Sequence, residues 1–274
     1  MAETKKETIV LLYDFDGTLC PGSMQDTTIL PELGFTGDEF WGMVNTERKA
    51  SGGDSTLTYM YVLLREAKAR GKVITRELFN TLAAKIKFYK GVEEYFTRIN
   101  NFVNINMKGW EVKHYVLSSG IKELIEGCAI AKEFSNVFAC EYFYDKDGNA
   151  SFPKYSVNYT DKTQYIFRIS KGREKPGQNV NEIVPAHERA VPIANMLYIG
   201  DGMTDIPCMK IVRENGGKAM VVYDAQDEFS IKISEAMARD KRADFFCEAD
   251  YSAGSKIDTV VKQVVLNIAA RNIL

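Results

Sequence analysis

Asp14 and Asp16 stand two residues apart in Asp14-Phe15-Asp16-Gly17-Thr18-Leu19, directly behind the apolar run Ile9-Val10-Leu11-Leu12-Tyr13. If the run is a strand that continues through them, both carboxyl groups face one side. Carboxylates that close repel unless a proton or a cation sits between them. A Mg²⁺ ion together with one protonated carboxyl would resolve the conflict. A second acidic turn, Gly200-Asp201-Gly202-Met203-Thr204-Asp205, follows the apolar run Met196-Leu197-Tyr198-Ile199. Mg²⁺ takes oxygen ligands and keeps several waters beside one or two carboxylates, which Asp14 and Asp201 could supply. Asp205 is expected to open the helix that follows. Ser118-Ser119-Gly120 comes after Val112-Lys113-His114-Tyr115-Val116-Leu117. A hydroxyl and backbone N–H groups there could donate to phosphate oxygens. Lys162, at the start of a further helical stretch, could hold a carboxylate ionised and offset phosphate charge.

All four groups follow apolar runs or open helices, so the elements behind them decide whether they meet. Strand-like runs end at Tyr13, Leu117, Ile199 and Tyr223, with helical patterns at 91–107, 122–134, 162–169 and 206–215. Strands alternating with helices predict an α/β fold with a doubly wound, mostly parallel sheet, covered on both faces. Ligands bind at the carboxyl ends of strands in such sheets. Between Cys20 and Lys90 the pattern is helical instead, as at 57–69 and 76–88, with Asp54 or Ser55 and Thr75 as caps. An insert of that length exceeds what a crossover needs and reads as a lid. The expected division is a core domain at 1–20 and 90–274 and a helical cap at 21–89. Asp145-Lys146-Asp147-Gly148-Asn149 lacks the glycine and glutamate spacing of a calcium loop. It reads as a hairpin turn between 142–144 and 150–152. The polar stretch 172–189, with Pro176 and Pro185, reads as a long surface loop.

The chain has 274 residues, and its 35 basic and 37 acidic side chains leave a net charge of −2, which argues against a general nucleic-acid binder. Five scattered cysteines form no C-x-x-C pair and suit a reducing, cytoplasmic setting. Two histidines make a histidine-based metal centre a poor expectation. The short, mixed-charge start at residues 1–7 and the five-residue apolar run behind it read as neither a signal peptide nor a membrane span.

In order and spacing the four signals resemble the haloacid dehalogenase superfamily of phosphohydrolases. The match comprises Asp-x-Asp-Gly-Thr at 14–18, an apolar run into Ser118, a helix-opening Lys162 and Gly-Asp-Gly-x-x-Asp at 200–205. The helical insert is similar to the small cap of the phosphoserine-phosphatase-like branch. The resemblance implies a Mg²⁺-dependent phosphatase acting on a small phosphorylated metabolite through an aspartyl-phosphate. On that pattern Asp14 is the nucleophile and Asp16 the general acid and then base, its carbonyl also on the metal. Ser118, with Ser119 and Gly120, binds the transferring phosphoryl group, and Lys162 orients Asp14 and stabilises charge. Asp201 is the acidic Mg²⁺ ligand, and Asp205 supports the metal site. Asp16 favours phosphoryl transfer over dehalogenation, which needs no acid there.

The chain departs from the phosphoserine phosphatases just after the first motif, where Pro21-Gly22-Ser23-Met24-Gln25-Asp26 lacks their glutamate. The substrate therefore stays open. Gln25, Asn45 and Arg48 are the cap side chains considered for it, and Phe40 and Trp41 read as cap core. A receiver-like domain, or a silent relative that binds phosphorylated ligands, remains the alternative. The expected partner is a small phosphorylated molecule, with neither nucleic acid nor membrane, and the protein is expected as a monomer or homodimer.

Overall fold

The computed structural model describes residues 6–271. Residues 1–5 and 272–274, the two ends of the expected core domain, lie outside the described residues, as does most of the 1–7 start. The apolar run before Asp14 forms strand β1 (Glu7–Tyr13), every residue of which after Glu7 is buried. It is followed by five helices, α1 (Met24–Thr27), α2 (Ile29–Leu33), α3 (Gly37–Ser51), α4 (Ser55–Ala69) and α5 (Arg76–Ala83), with no strand among them. Asp54 caps α4 by accepting from the N–H groups of Thr56 and Leu57, and Thr75 caps α5 through Leu78. The chain continues through α6 (Val92–Asn106), β2 (Trp110–Ile121), α7 (Lys122–Glu126), β3 (Asn136–Tyr144) and β4 (Ala150–Tyr155). Then come α8 (Asp161–Lys171), β5 (Met196–Gly200), α9 (Ile206–Glu214), β6 (Lys218–Tyr223), α10 (Glu228–Arg239), β7 (Phe245–Glu248) and α11 (Lys256–Arg271).

The seven strands form one sheet in the order β4-β3-β2-β1-β5-β6-β7. All neighbours pair in parallel except β3 and β4, the expected hairpin. Burial on both faces explains why β1 is apolar throughout rather than alternating. Ile9, Leu11 and Tyr13 join one core layer with α6, α11 and the inner sides of the inserted helices, including Phe40, Leu63 and Phe79. Val10 and Leu12 join the other, with Ile166 of α8, Met209 of α9 and Met237 of α10. Chain direction across the sheet reverses between β1 and β5, so a crevice opens at their carboxyl ends. Asp14 and Asp201 stand there.

Several boundaries differ from expectation. Strand β2 does not stop at Leu117 but runs through Ser118-Ser119-Gly120 to Ile121, with its register against β3 shifting between Leu117 and Ile121. The helix expected at 122–134 is only α7, because α5 packs against it and the chain turns at Gly127. Likewise α5 ends at Ala83 rather than Phe88. Strand β7 and helix α11 carried no distinct motif. Residues 172–189 form the expected loop, with one short helical turn at Ala186–Glu188.

Candidate active site

Asp14 follows the last residue of β1, and its backbone N–H donates to the Ile199 carbonyl of β5, tying the two strand ends together. Its Oδ1 accepts from the Phe15 N–H at 2.7 Å, which turns the other oxygen, Oδ2, towards Lys162 Nζ at 2.7 Å. Lys162 sits in the first turn of α8 with its whole side chain buried. Asn158 arranges that turn by accepting from the N–H groups of Thr160 and Asp161. The same ammonium donates to Asp205 Oδ1 at 2.9 Å. Burial alone would neutralise Lys162, but Asp14 and Asp205 outweigh it and hold the ammonium charged.

Asp205 is fully buried. Instead of capping α9, it accepts from Tyr198 Oη at 2.7 Å on Oδ1 and from the N–H groups of Asp201 and Gly202 at 3.2 and 3.3 Å on Oδ2. That network fixes the turn presenting Asp201. Tyr198 drew no attention in the sequence because it lies inside the apolar run. Its place two residues before Gly200 on a buried strand was the available signal.

Asp16 is placed differently. Its Oδ1 accepts from the Met24 N–H at 2.8 Å and from the Cys20 thiol at 3.6 Å, so the start of the insert grips it. It keeps some surface on the cavity, yet burial outweighs the Met24 hydrogen bond and pushes its carboxyl up to about 7. Burial likewise raises Asp14 more than Lys162 pulls it back, and it pushes Asp201 well above the usual carboxylate range, helped by Asp205 and Asp14.

Two glycines permit this crowding. Gly17 has φ +69°, and a Cβ there would collide with the Asp201 carboxylate. A Cβ on Gly120 would run into the Met24 side chain and stand 3.2 Å from Asp16 Oδ2. Beside them, Ser118 accepts from the Gly120 N–H at 2.9 Å and is buried. The Ser119 hydroxyl is turned to the Val157 carbonyl at 2.7 Å, while the Ser119 carbonyl accepts from Tyr59 of α4 at 2.8 Å. Asp14, Asp16, Ser118, Ser119 and Asp201 line one cavity of about 510 Å³, with Lys162 and Asp205 behind it. Of the cap side chains considered, Gln25 is buried and bonded to Ser23, and Asn45 and Arg48 are exposed. Phe40 is buried, and Trp41 packs on it and donates to Asp26 at 2.8 Å.

Oxygens of Asp14, Asp201 and Asp205 lie within 4.8 Å of one another. Hard oxygen donors this close, with one ammonium against several carboxylates, suit a small divalent cation. Burial raises the Asp14 and Asp201 carboxyls, neighbouring carboxylates add to the rise, and a cation among them would relieve that repulsive part.

The fold comparison is decisive. A phosphoserine phosphatase solved as a phospho-aspartyl intermediate analogue superposes with a TM-score of 0.57 over 94% of this chain and all of its own, at 17% identity. The chain has the haloacid dehalogenase fold. Other solved neighbours of that fold include a phosphoserine phosphohydrolase-like protein from Francisella tularensis, with a TM-score of 0.53, 17% identity, and coverage of 92% of this chain and 98% of that one. A HAD family hydrolase from Salmonella enterica serovar Typhi gives a TM-score of 0.54 at 14% identity over 81% of this chain. The chain spans only 64% of that hydrolase's length. In sequence, an uncharacterized protein of Borreliella burgdorferi is 30% identical across 96% of this chain and 99% of its own, and the chain belongs to the same family as that protein. No family model matches the chain. Among the described residues, no helix of this haloacid dehalogenase fold is long and apolar enough to cross a membrane.

Proposed function

We propose that the protein is a Mg²⁺-dependent phosphatase that hydrolyses a small phosphate monoester through a phosphorylated Asp14. The observation carrying this reading is the pairing of Asp14 Oδ2 with Lys162 Nζ at 2.7 Å, with a second carboxyl, Asp16, held separately and raised to about 7. The two carboxyls thus sit in different surroundings: Asp14 faces a buried ammonium that opposes the upward pull of burial, while Asp16 is bonded to a backbone N–H and a thiol. Such a split in environment separates a nucleophile from a general acid.

Asp14 attacks phosphorus through a carboxylate whose Oδ1 is oriented by the Phe15 N–H and whose Oδ2 is oriented by the Lys162 ammonium. Asp16 gives its proton to the departing alkoxide, then takes one from the water that hydrolyses the acyl phosphate. Ser118 hydrogen-bonds the phosphoryl oxygens, and Lys162 offsets their growing charge. Asp14, Asp201 and the Asp16 carbonyl would hold the Mg²⁺, with Asp205 supporting them. When bound, the ion neutralises phosphate charge so that a carboxylate can approach. Helices α1–α5 act as the cap, clasping Asp16 through Met24 and the Ser119 carbonyl through Tyr59. A receiver-like domain needs neither such an insert nor an acid at position 16. Five free, buried cysteines support a reducing cytoplasmic setting, and the reading requires no more than a monomer or homodimer.

Hydrolysis of p-nitrophenyl phosphate by wild type with Mg²⁺, by wild type with EDTA, and by Asp14→Asn tests the reading. Turnover that disappears with EDTA and with the substitution is the expected result. Turnover that survives Asp14→Asn refutes the nucleophile.

A further inference from the structure

Part of the reaction cavity's wall comes from the loop after β6, which no sequence motif marked. Asp224 is half-buried there. Its Oδ1 accepts from the Gln226 N–H at 2.8 Å and its Oδ2 from the Tyr89 hydroxyl at 3.3 Å. Asp227 caps α10 with Oδ1, accepting from the Phe229 N–H at 2.9 Å, and the residue lines the same cavity. The Phe229 ring, 71% exposed, stands on the same rim. Among the described residues lining the cavity there are five aspartates and not one lysine, arginine or histidine. Lys162, the cation bonded to Asp14, is buried and already shared between two carboxylates.

The proposed chemistry brings the phosphoryl group to Ser118 and the cations it requires. The remaining lining offers the leaving group two further carboxylates, Asp224 and Asp227, and two aromatic residues, Tyr89 and Phe229. A leaving group carrying a carboxylate would face like charges with no cation to balance it, at a cost that grows as water is excluded. An ammonium group there gains both the carboxylates and the neighbouring aromatic residues Tyr89 and Phe229.

We infer that the substrate is the phosphate monoester of an amino alcohol, its ammonium group held by Asp224, Asp227, Tyr89 and Phe229. The inference rests on the phosphatase reading and narrows it. It also separates this chain from the neighbours whose substrate is phosphoserine, an ester that brings a carboxylate into the site.

Three esters of similar size test it: O-phosphoethanolamine, ethyl phosphate and 2-phosphoglycolate, which place a cation, a neutral methyl and an anion at the far end. With Mg²⁺, kcat/KM is expected to fall in that order, with at least tenfold between first and last. In Asp227→Asn and Asp224→Asn, which keep an oxygen for their backbone partners, the phosphoethanolamine-to-ethyl phosphate ratio is expected to drop about tenfold. Calorimetric titration of Asp14→Asn with the same esters reads binding without turnover and is expected to give the same order. A preference for phosphoglycolate, or a ratio unmoved by both substitutions, overturns the inference while ethyl phosphate turnover leaves the phosphatase standing. Absence of turnover with all three esters, with the ammonium ester still bound most tightly, overturns the phosphatase reading and leaves the recognition of the cation.

Discussion

At the scale of single residues, the site turns on two carboxyls of one type in different surroundings. Asp14 is paired with a buried ammonium, and Asp16 is held by one backbone N–H and a thiol. A group raised to about 7 carries its proton below that pH and loses it as pH rises through it. As the general acid, Asp16 therefore gives kcat/KM for ethyl phosphate an alkaline limb, its midpoint drawn below the ion-free value by bound Mg²⁺. Asp16→Asn should lower turnover by about 10²–10⁴ while Mg²⁺ affinity, read by calorimetry, changes only a few-fold. Full turnover in that variant, or a rate level to pH 9 in the wild type, would exclude the assigned role. Asp14, Asp16, Ser118, Lys162, Asp201 and Asp205 were all legible in the sequence because chemistry restricts their types. Tyr198 and the Met24 N–H were not, since a tyrosine in a core strand looks like packing and a backbone donor has no residue type. The Asp224–Phe229 wall was missed for a related reason: an aspartate pair in a loop resembles ordinary turn and cap chemistry until the fold brings it to the cavity that Asp14 lines.

Among the elements, the strand-to-loop turns at the carboxyl ends of β1 and β5 determine whether those residues meet. Apolar runs located these strands well, since burial on both faces leaves a continuous signature. Where β2 ends could not be read, because the shifted register with β3 carries a polar Ser-Ser-Gly inside the strand. The shortness of α7 was equally hidden, since α5, far away in sequence, packs against it. The turn after β1 offers a controlled comparison. Gly17 and Gly22 both have positive φ, but only Gly17 faces the Asp201 carboxylate, with open space beside Gly22. Gly22→Ala should cost about 1 kcal/mol for its backbone conformation alone. Gly17→Ala should cost about 2–3 kcal/mol and weaken Mg²⁺ binding, because Asp201 must move. Urea unfolding of both variants checks this, and equal losses would show that the Gly17–Asp201 contact does not matter.

On the scale of the whole molecule, the two core layers and the insert are bound together by buried polar bridges as well as apolar contact. His114 is one of these: it sits within the sheet on β2, bonded to Tyr13 Oη at 3.0 Å through Nδ1 and to Asn100 of α6 at 3.1 Å through Nε2. Burial lowers its pKa to about 3. The unfolded chain, with a histidine pKa of about 6.5, then binds the extra proton first as pH falls. This contribution to stability is complete above about 6.5 and is lost towards pH 3, at up to about 1.4 kcal/mol per pH unit. The raised carboxyls of Asp14, Asp16 and Asp201 work in the opposite direction, so the comparison must be between proteins. Between pH 6.5 and 5, wild type should lose more stability in urea than His114→Gln. Identical slopes would mean that His114 takes up its proton in the fold at the same pH as in the unfolded chain.

The central claim is that Asp14 becomes covalently phosphorylated. Acid quenching during turnover of a phosphate monoester, borohydride reduction of the acyl phosphate and peptide mass spectrometry tests it most directly. The account predicts homoserine at position 14, in a yield that rises in Asp16→Asn as hydrolysis of the intermediate slows. Turnover with position 14 always recovered as aspartate, or with phosphate found on Ser118 instead, would contradict it.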